Sequence, residues 1–512
     1  MNGPLNSASV SLLWLLDGIA QVPPTDVRVA DLTLDSRQAR AGGLFFALPG
    51  RSHHGLEFAA QACAQGAAVV LWEPAPGVAP PDLPNVFAAP VPGLSRLIGR
   101  IADRFFSWPS SQLRIVGITG TNGKTTCAYL LAQCLERLGM QAAYIGTIGF
   151  GRLAALLPPT HTTPDVVNLH RQLAGLRAAG VREVAMEVSS HVLDQDRIAG
   201  VRFHSAAFTN LSRDHLDYHE SMRDYGEAKA RLFAAPGLQQ AVLNVGDAFG
   251  RQLLQRFSGR LPLTAVWLDA GEFGWMAERT LHAAGVDFEL HGFSLRLGGS
   301  FGTAVLHARL IGRFNAENCL LVIACLLSLG VALPAALAAI AECKAPPGRM
   351  EMIEAARPDK ALAVIDYAHT PDALGKALEA LRGHCRGALW CVFGCGGDRD
   401  PGKRPIMGAV ADEFADRIIV TDDNPRSEDP DAITRDITAG ISAHAFRVIH
   451  DRAQAIAAAL TEAGSVDVVL IAGKGHETYQ ILKDGPIPFD DREVARRVLR
   501  GFGYSRKKNG PA

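Results

Sequence analysis

The run Gly120-Thr-Asn-Gly-Lys-Thr-Thr126 constrains this chain more than any other segment. It stands between an apolar stretch, Leu113 to Thr119, suited to a buried strand, and a stretch from Lys124 to Leu138 with helical patterning that Gly139 stops. A strand that turns through glycines into a helix leaves the first N–H groups of that helix unpaired and the positive end of its dipole open. Such a junction cradles polyphosphate and predicts a nucleotide site. Glycines at 120 and 123 let the main chain approach phosphate oxygens, Lys124 neutralises the outer phosphates, and the Thr125 hydroxyl suits Mg²⁺. Thr121, Asn122 and Thr126 complete the loop. The spacing departs from the common phosphate-loop pattern, because the position five before Gly123 is Ile118 and the glycine lies three before it. A Gly-rich turn without nucleotide is the plain alternative.

The chain's 512 residues point to about three domains of ordinary size. Hydrophobic residues make up 48% and charged residues 20%, which excludes general disorder. A net charge of -1 offers no field for nucleic acid, so anionic ligands must be held by local groups. Nine cysteines without a CxxC pair predict reduced thiols and a cytoplasmic protein. The apolar run Ser11 to Leu16 lacks a basic flank and is far shorter than the ~20 residues of a membrane span.

Short apolar runs at Leu44 to Leu48 and Ala67 to Trp72, set among turn-rich segments, predict a small N-terminal α/β domain over 1–108. Strand candidates at Val184 to Val188, Ala206 to Thr209 and Ala241 to Asn244 alternate with helical stretches. They predict a central α/β domain over 109–344 with a mostly parallel sheet. Lys344-Ala-Pro-Pro-Gly348 reads as a hinge. Beyond it, strands at Leu362 to Asp366, Ala388 to Phe393, Arg417 to Thr421 and Val466 to Ala472 predict a doubly wound, Rossmann-like domain over 345–512.

The loop resembles that of the Mur ligases and their folylpolyglutamate synthase relatives. Met186-Glu-Val-Ser-Ser-His191, Thr209-Asn-Leu-Ser-Arg-Asp-His-Leu-Asp-Tyr218, Gly312-Arg-Phe-Asn-Ala-Glu-Asn318, Pro347-Gly-Arg349, Asp366-Tyr-Ala-His-Thr-Pro371 and Gly473-Lys-Gly-His-Glu477 extend the likeness in the family's order. The resemblance implies ATP as nucleotide, with Asn315 and His369 near its base and Arg349 and Asp366 near its phosphates and ribose. It implies two Mg²⁺ ions, one on Thr125 and Glu187 and one on Glu187 and His215, and a CO₂-derived carbamate on Lys229. A carbamate needs a neutral amine, hence a desolvated lysine. Taken alone, Glu187 and His215 would read as surface or capping groups, and Lys229 as a solvent-facing lysine. Catalytic roles fall on Lys124, Glu187, His215, Lys229 and Arg349.

Asp423-Asn-Pro-Arg426 resembles the signature of the members that add meso-diaminopimelate. Arg426 and Arg399 can grip the distal carboxylate through bidentate bonds, and Gly473 and Glu477 would hold the same end, Glu477 taking its ammonium. Asn424 and Pro425 complete this loop. An Asx/Pro turn is the plain alternative. The family pattern places a UDP-N-acetylmuramoyl-L-alanyl-D-glutamate substrate on Leu34, Ser36, Arg51, Ser52 and His53 in the first domain. It continues that substrate over Thr162, Thr163, Ser189, Gln195 and Arg197, with His161 where the family often has Asn. The implied reaction is acyl-phosphate amide-bond formation by a monomer without nucleic-acid or membrane partners. Three rivals are a lysine-adding ligase, against which Arg426 argues, a folylpolyglutamate-type ligase, and a nucleotide-binding scaffold without catalysis.

Overall fold

The computed structural model describes residues 9–50, 52–158, 164–269, 271, 277–353 and 360–501. Arg51, His161, Thr162 and Thr163 lie outside the described residues. The chain forms two compact units. One is built mainly from the chain up to Val266 with Ala324–Ala332 added, the other from Leu281–Ile323 and from Leu333 onward.

Besides the two-stranded pairing of Val10–Ser11 with Arg28–Val29, the first unit holds two larger sheets. A four-stranded parallel sheet runs in the order Asp31–Thr33, Gly43–Ala47, Ala67–Trp72, Phe87–Pro90. Leu44, Phe46, Val69 and Leu71 pack one of its faces with the helix Leu94–Phe105, and the other face buries Phe45, Val70 and Trp72 with Ala59 and Ala62. The second sheet centres on Arg114–Thr119, flanked by Glu183–Glu187 and Ser205–Phe208. Ala142–Gly146 extends it on one side, and Gln240–Asn244 followed by Leu263–Leu268 on the other, all parallel. Gly149–Gly151, next to Ala142–Gly146, runs antiparallel. Because Arg114–Thr119 and Glu183–Glu187 are buried throughout apart from Arg114, they read as continuous apolar runs. Parallel strands carry their C-terminal loops to one rim, where open α/β sheets place ligands.

The second unit holds a six-stranded sheet in the order Glu351–Ile353, Leu362–Asp366, Val468–Ala472, Leu389–Phe393, Arg417–Val420, Phe446–Val448. Only the first strand is antiparallel. Helices Pro371–Arg382 and Lys403–Phe414 cover one face through Leu374, Leu381, Met407 and Ala411. Arg452–Glu462 and Asp491–Leu499 cover the other through Ile456, Leu460, Val494 and Leu499. This is the doubly wound layering that the alternating pattern predicts. An antiparallel meander, Arg279–Glu289, Gly292–Gly299 and Ala304–Ala308, was not legible beforehand. Its first strand is exposed or half-buried at most positions, so the hydrophobic alternation is weak.

The expected strands and helices recur with ends shifted by one or two residues, as at Lys124–Arg137 and Leu389–Phe393. The helix Leu333–Ala341 ends before Pro346 and Pro347, in accord with the predicted break. Among the described residues no helix is long and apolar enough to cross a membrane.

Candidate active site

In the first unit the phosphate-type loop is built by glycine geometry. Gly120 has φ +149° and Gly123 φ +83°, conformations that L side chains rarely adopt. A Cβ on Gly120 would stand 1.8 Å from Thr209 Oγ1. The loop is braced from outside. Thr209 Oγ1 donates to Asn122 O (2.6 Å), and the Thr121 and Asn122 N–H groups donate to Asn210 O (2.7 Å) and Asn210 Oδ1 (3.0 Å). Thr121 Oγ1 exchanges bonds with Ser212. Gly123 then caps the helix Lys124–Arg137 without a side-chain bond, so the orphan donors of its first turn face the rim.

Lys124 folds over this loop, its Nζ donating to Gly120 O (2.9 Å) and Thr121 O (2.6 Å). Thr125 Oγ1 donates to Glu187 Oε2 (2.8 Å). Glu187, 1% exposed, also accepts from Tyr144 OH, from Thr147 N (2.8 Å) and from Thr147 Oγ1 (3.3 Å). A buried carboxylate so satisfied is held at a fixed place. Its oxygens and the Thr125 hydroxyl form an adjacent pair of hard donors, which suits Mg²⁺. Among the described residues no three His, Cys, Asp or Glu side chains converge, so a cation here would complete its shell with phosphate and water.

Lys229 is 1% exposed, lies 4.1 Å above the Tyr225 ring, and donates to Gly120 O (2.7 Å). Burial first, then the Lys124 charge, pull its pKa down to about 6, against the opposing pull of Asp214. The expectation of a solvent-facing lysine is thereby excluded. His215 sits half out of the fold at φ +52°, its Nε2 3.6 Å from Asp214 Oδ2 and its ring edge-on to His191 with centroids 4.8 Å apart. Ser189 caps the short helix Ser190–Asp194, Gln195 bonds Tyr218 OH (3.1 Å), and Arg197 follows the left-handed turn at Asp196. Of the proposed uridine contacts, Ser36 gives its hydroxyl to Gln61 (2.7 Å), and His53 pairs with Glu57 (2.9 Å). Leu34 is half-buried against the core and Ser52 is exposed.

In the second unit a separate set gathers where Arg417–Val420, Val468–Ala472 and Leu389–Phe393 end. Asp423 is 7% exposed, and burial raises its pKa while the charge of Arg452 opposes the rise. Gly473 passes beside it at φ +115°, where a Cβ would lie 2.4 Å from Asp423 Oδ2. Asn424 Nδ2 donates to Glu477 Oε2 (3.1 Å). The carbonyl of Pro425 closes a turn from Glu428 N. Arg426 adopts φ +53°, rare outside glycine, and its Nη1 donates to Gly397 O (2.7 Å), which aims the guanidinium. Arg399 stands exposed nearby in sequence to Gly396 and Gly397.

The residues of this unit that the resemblance places near a nucleotide lie as follows. Asn315 spends its amide on Ile311 O (2.8 Å) and Asn318 (3.0 Å). Asp366 accepts from Met350 N and Ala368 N, both 2.8 Å. Arg349 lies over the Tyr367 ring with its Nε unpaired, and His369 is exposed, bonded to Tyr367 O (2.8 Å). A Cβ on Gly348 would meet Gly475 at 2.1 Å, so the Pro347-Gly348-Arg349 turn packs against the Gly473-to-Glu477 loop.

Comparison with known proteins accounts for this arrangement. Residues 28–105 match the model for the Mur ligase family catalytic domain, 118–326 the Mur ligase middle domain, and 348–475 the Mur ligase glutamate ligase domain. The chain is 50% identical, over 93% of its length and 95% of the relative's, to a protein of Alkalilimnicola ehrlichii named UDP-N-acetylmuramoyl-L-alanyl-D-glutamate--2,6-diaminopimelate ligase. The chain belongs to the Mur ligase family. A Coxiella burnetii protein of the same name is 43% identical over 95% of the chain and 99% of its own. A solved structure of such a ligase superposes with TM-score 0.75 and 36% identity, covering 96% of this chain and 99% of that one. Acinetobacter baumannii MurF shares the fold at TM-score 0.60 and 17% identity, covering 97% and 100%.

Motif reading missed the groups of this Mur ligase that hold the reactive ones. Tyr144, on the strand Ala142–Gly146, and Thr147, in the turn after it, orient Glu187, and the sequence there carries no local sign of it. Asn210 and Lys474 did lie inside quoted motifs, and their place between functional positions was the available signal. The fully buried ion pair of Arg452 with Asp491 (2.7 Å) spans 39 residues and gave none.

Proposed function

We propose that this chain is an ATP-dependent, ADP-forming ligase that joins meso-diaminopimelate to UDP-N-acetylmuramoyl-L-alanyl-D-glutamate, a step of peptidoglycan precursor synthesis. The observation that carries the reading is one chain holding both a glycine-built phosphate cradle with Lys124 and an acceptor loop whose Arg426 is aimed by Gly397 O beside Glu477. The relatives' names specify the same acceptor, and a Thermotoga maritima MurF neighbour is described in complex with ADP.

In this reading the D-glutamyl carboxylate oxygen attacks the γ-phosphorus, the bond to the bridging oxygen breaks, and ADP leaves an acyl phosphate. Lys124 and the N–H groups near Gly123 neutralise the charge gathering on the phosphoryl oxygens. The neutral amine of diaminopimelate then attacks the acyl carbon, phosphate departs, and the amide remains. Mg²⁺ at two sites would be held by Thr125, Glu187, His215 and carbamylated Lys229, and bound there supplies further charge neutralisation for phosphoryl transfer. Burial of Lys229 supports the carbamate, because an amine with its pKa pulled down to about 6 is open to CO₂. Arg349, Asp366, Asn315 and His369 bind the nucleotide. Leu34, Ser36, Arg51, Ser52, His53, Thr162, Thr163, Ser189, Gln195 and Arg197 bind the UDP substrate. Arg399, Asp423 to Arg426, Gly473 and Glu477 bind the amino acid. The working regions are 1–108, 109–344 and 345–512, in a cytoplasmic monomer; nine free thiols accord with a reducing compartment.

ADP release is the test, measured with the UDP-muramyl dipeptide and each candidate amino acid. Turnover with meso-diaminopimelate and none with lysine or without an amino acid is expected. Lysine-dependent turnover, or turnover with no acceptor, overturns the assignment.

A further inference from the structure

Glu477 has two carboxylate oxygens in different situations. Oε2 accepts from Asn424 Nδ2 (3.1 Å) and from Lys474 Nζ (2.9 Å), whereas Oε1 has no hydrogen-bond partner among the described residues. Lys474 is 0% exposed, and its Nζ also donates to Asn424 Oδ1 (3.0 Å). One buried ammonium thus ties together the two acceptor-loop side chains that stand 53 residues apart. Asn424 Oδ1 accepts in addition from Ile481 N (2.9 Å), so this clamp is fixed to the backbone as well.

A buried lysine without an anion would lose its proton or destabilise the fold. Glu477, whose side chain is 18% exposed, is the anion beside Lys474. The geometry of the pair engages one Glu477 oxygen and leaves the other without a hydrogen bond among the described residues. We propose that Lys474 is a positioning residue for acceptor specificity: by occupying Glu477 Oε2 and Asn424 Oδ1 it presents Glu477 Oε1 to the distal ammonium of the amino acid. This rests on the function proposed above and assigns the acceptor selectivity to a group that does not itself touch the ligand. Without Lys474 the carboxylate can turn, which removes a charge-assisted hydrogen bond to the substrate.

The experiment compares the full-length protein with Lys474→Met, which keeps the apolar stem and removes the charge, using meso-diaminopimelate and 2-aminopimelate, which lacks the distal amine. For Lys474→Met the KM for diaminopimelate should rise on the order of ten- to hundredfold, the loss of one charge-assisted bond. The KM for 2-aminopimelate should change little, so the discrimination between the two collapses. The KM for ATP should stay unchanged. Equal rises for both amino acids would mean a general structural role and overturn the proposal, as would an unchanged preference. Should Lys474→Met not fold, as judged by its thermal transition, Glu477→Gln gives the same comparison while keeping the Lys474 bond. Retained discrimination there refutes the role of Oε1. Failure of the wild type to use diaminopimelate would instead strike the function itself and leave the Lys474 clamp a structural pair.

Discussion

The phosphate cradle and the acceptor loop are both built at the C-terminal rim of a parallel sheet, yet they use opposite materials. The cradle is made of backbone, with Gly120 and Gly123 in conformations closed to other residues and the loop pinned to Thr209 and Asn210. The proposed acceptor site is made of side-chain charges, with Arg452 paired to Asp491, Lys474 paired to Glu477, and Arg426 anchored on a carbonyl. Backbone donors suit a ligand group common to every member of a fold, because they carry no side-chain identity to vary. Charged side chains suit a ligand that differs between members, because exchanging one changes which partner is left unpaired.

The contrast breaks most directly at Lys124. Lys124→Ala should lower ATP turnover by about 10²–10³-fold, the effect of removing one charge-stabilising group, while diaminopimelate binding measured by calorimetry stays unchanged. A parallel loss of acceptor binding would show that the two sites are not independent. Arg426→Lys keeps the charge and loses the planar fork, so the KM for diaminopimelate should rise about tenfold or more with the KM for ATP unaffected. Lys229 sharpens the comparison through pH. Its amine becomes charged as pH falls through about 6, so activity should drop on that side, and added bicarbonate should raise activity above that value but not rescue the loss below it. The same burial opposes the ammonium in the folded state alone. The folded pKa is depressed from 10.5, so the fold gains stability as pH rises from about 6 toward that value, and Lys229→Met should raise the thermal midpoint by a few °C while abolishing turnover. The smallest effect belongs to Ser36→Ala, which loses the bond to Gln61 and should cost about 1 kcal/mol in denaturant unfolding.

The cradle was legible because its parts are contiguous: strand, glycine turn, lysine and helix follow within residues 113 to 138. The acceptor loop was legible only as a motif. That Arg426 is aimed by Gly397 and that Asn424 ties to both Lys474 and Glu477 depends on chain segments that meet through the sheet order, in which Val468–Ala472 lies between Leu362–Asp366 and Leu389–Phe393. Likewise, Lys229 on a helical stretch reads as a solvent-facing lysine, and only packing against Gly120 and Tyr225 shows it buried.

The amino-acid order alone determined the strand-loop-helix junction, the doubly wound layering and the residue types available at each rim, since period, propensity and glycine placement act over a few neighbouring residues. Tertiary structure alone decided which of those residues are desolvated, which oxygen of Glu477 is left for a ligand, and that Glu187 is satisfied by Tyr144 and Thr147. Solvation and charge pairing are set by what approaches from distant parts of the chain, and no local pattern encodes that approach.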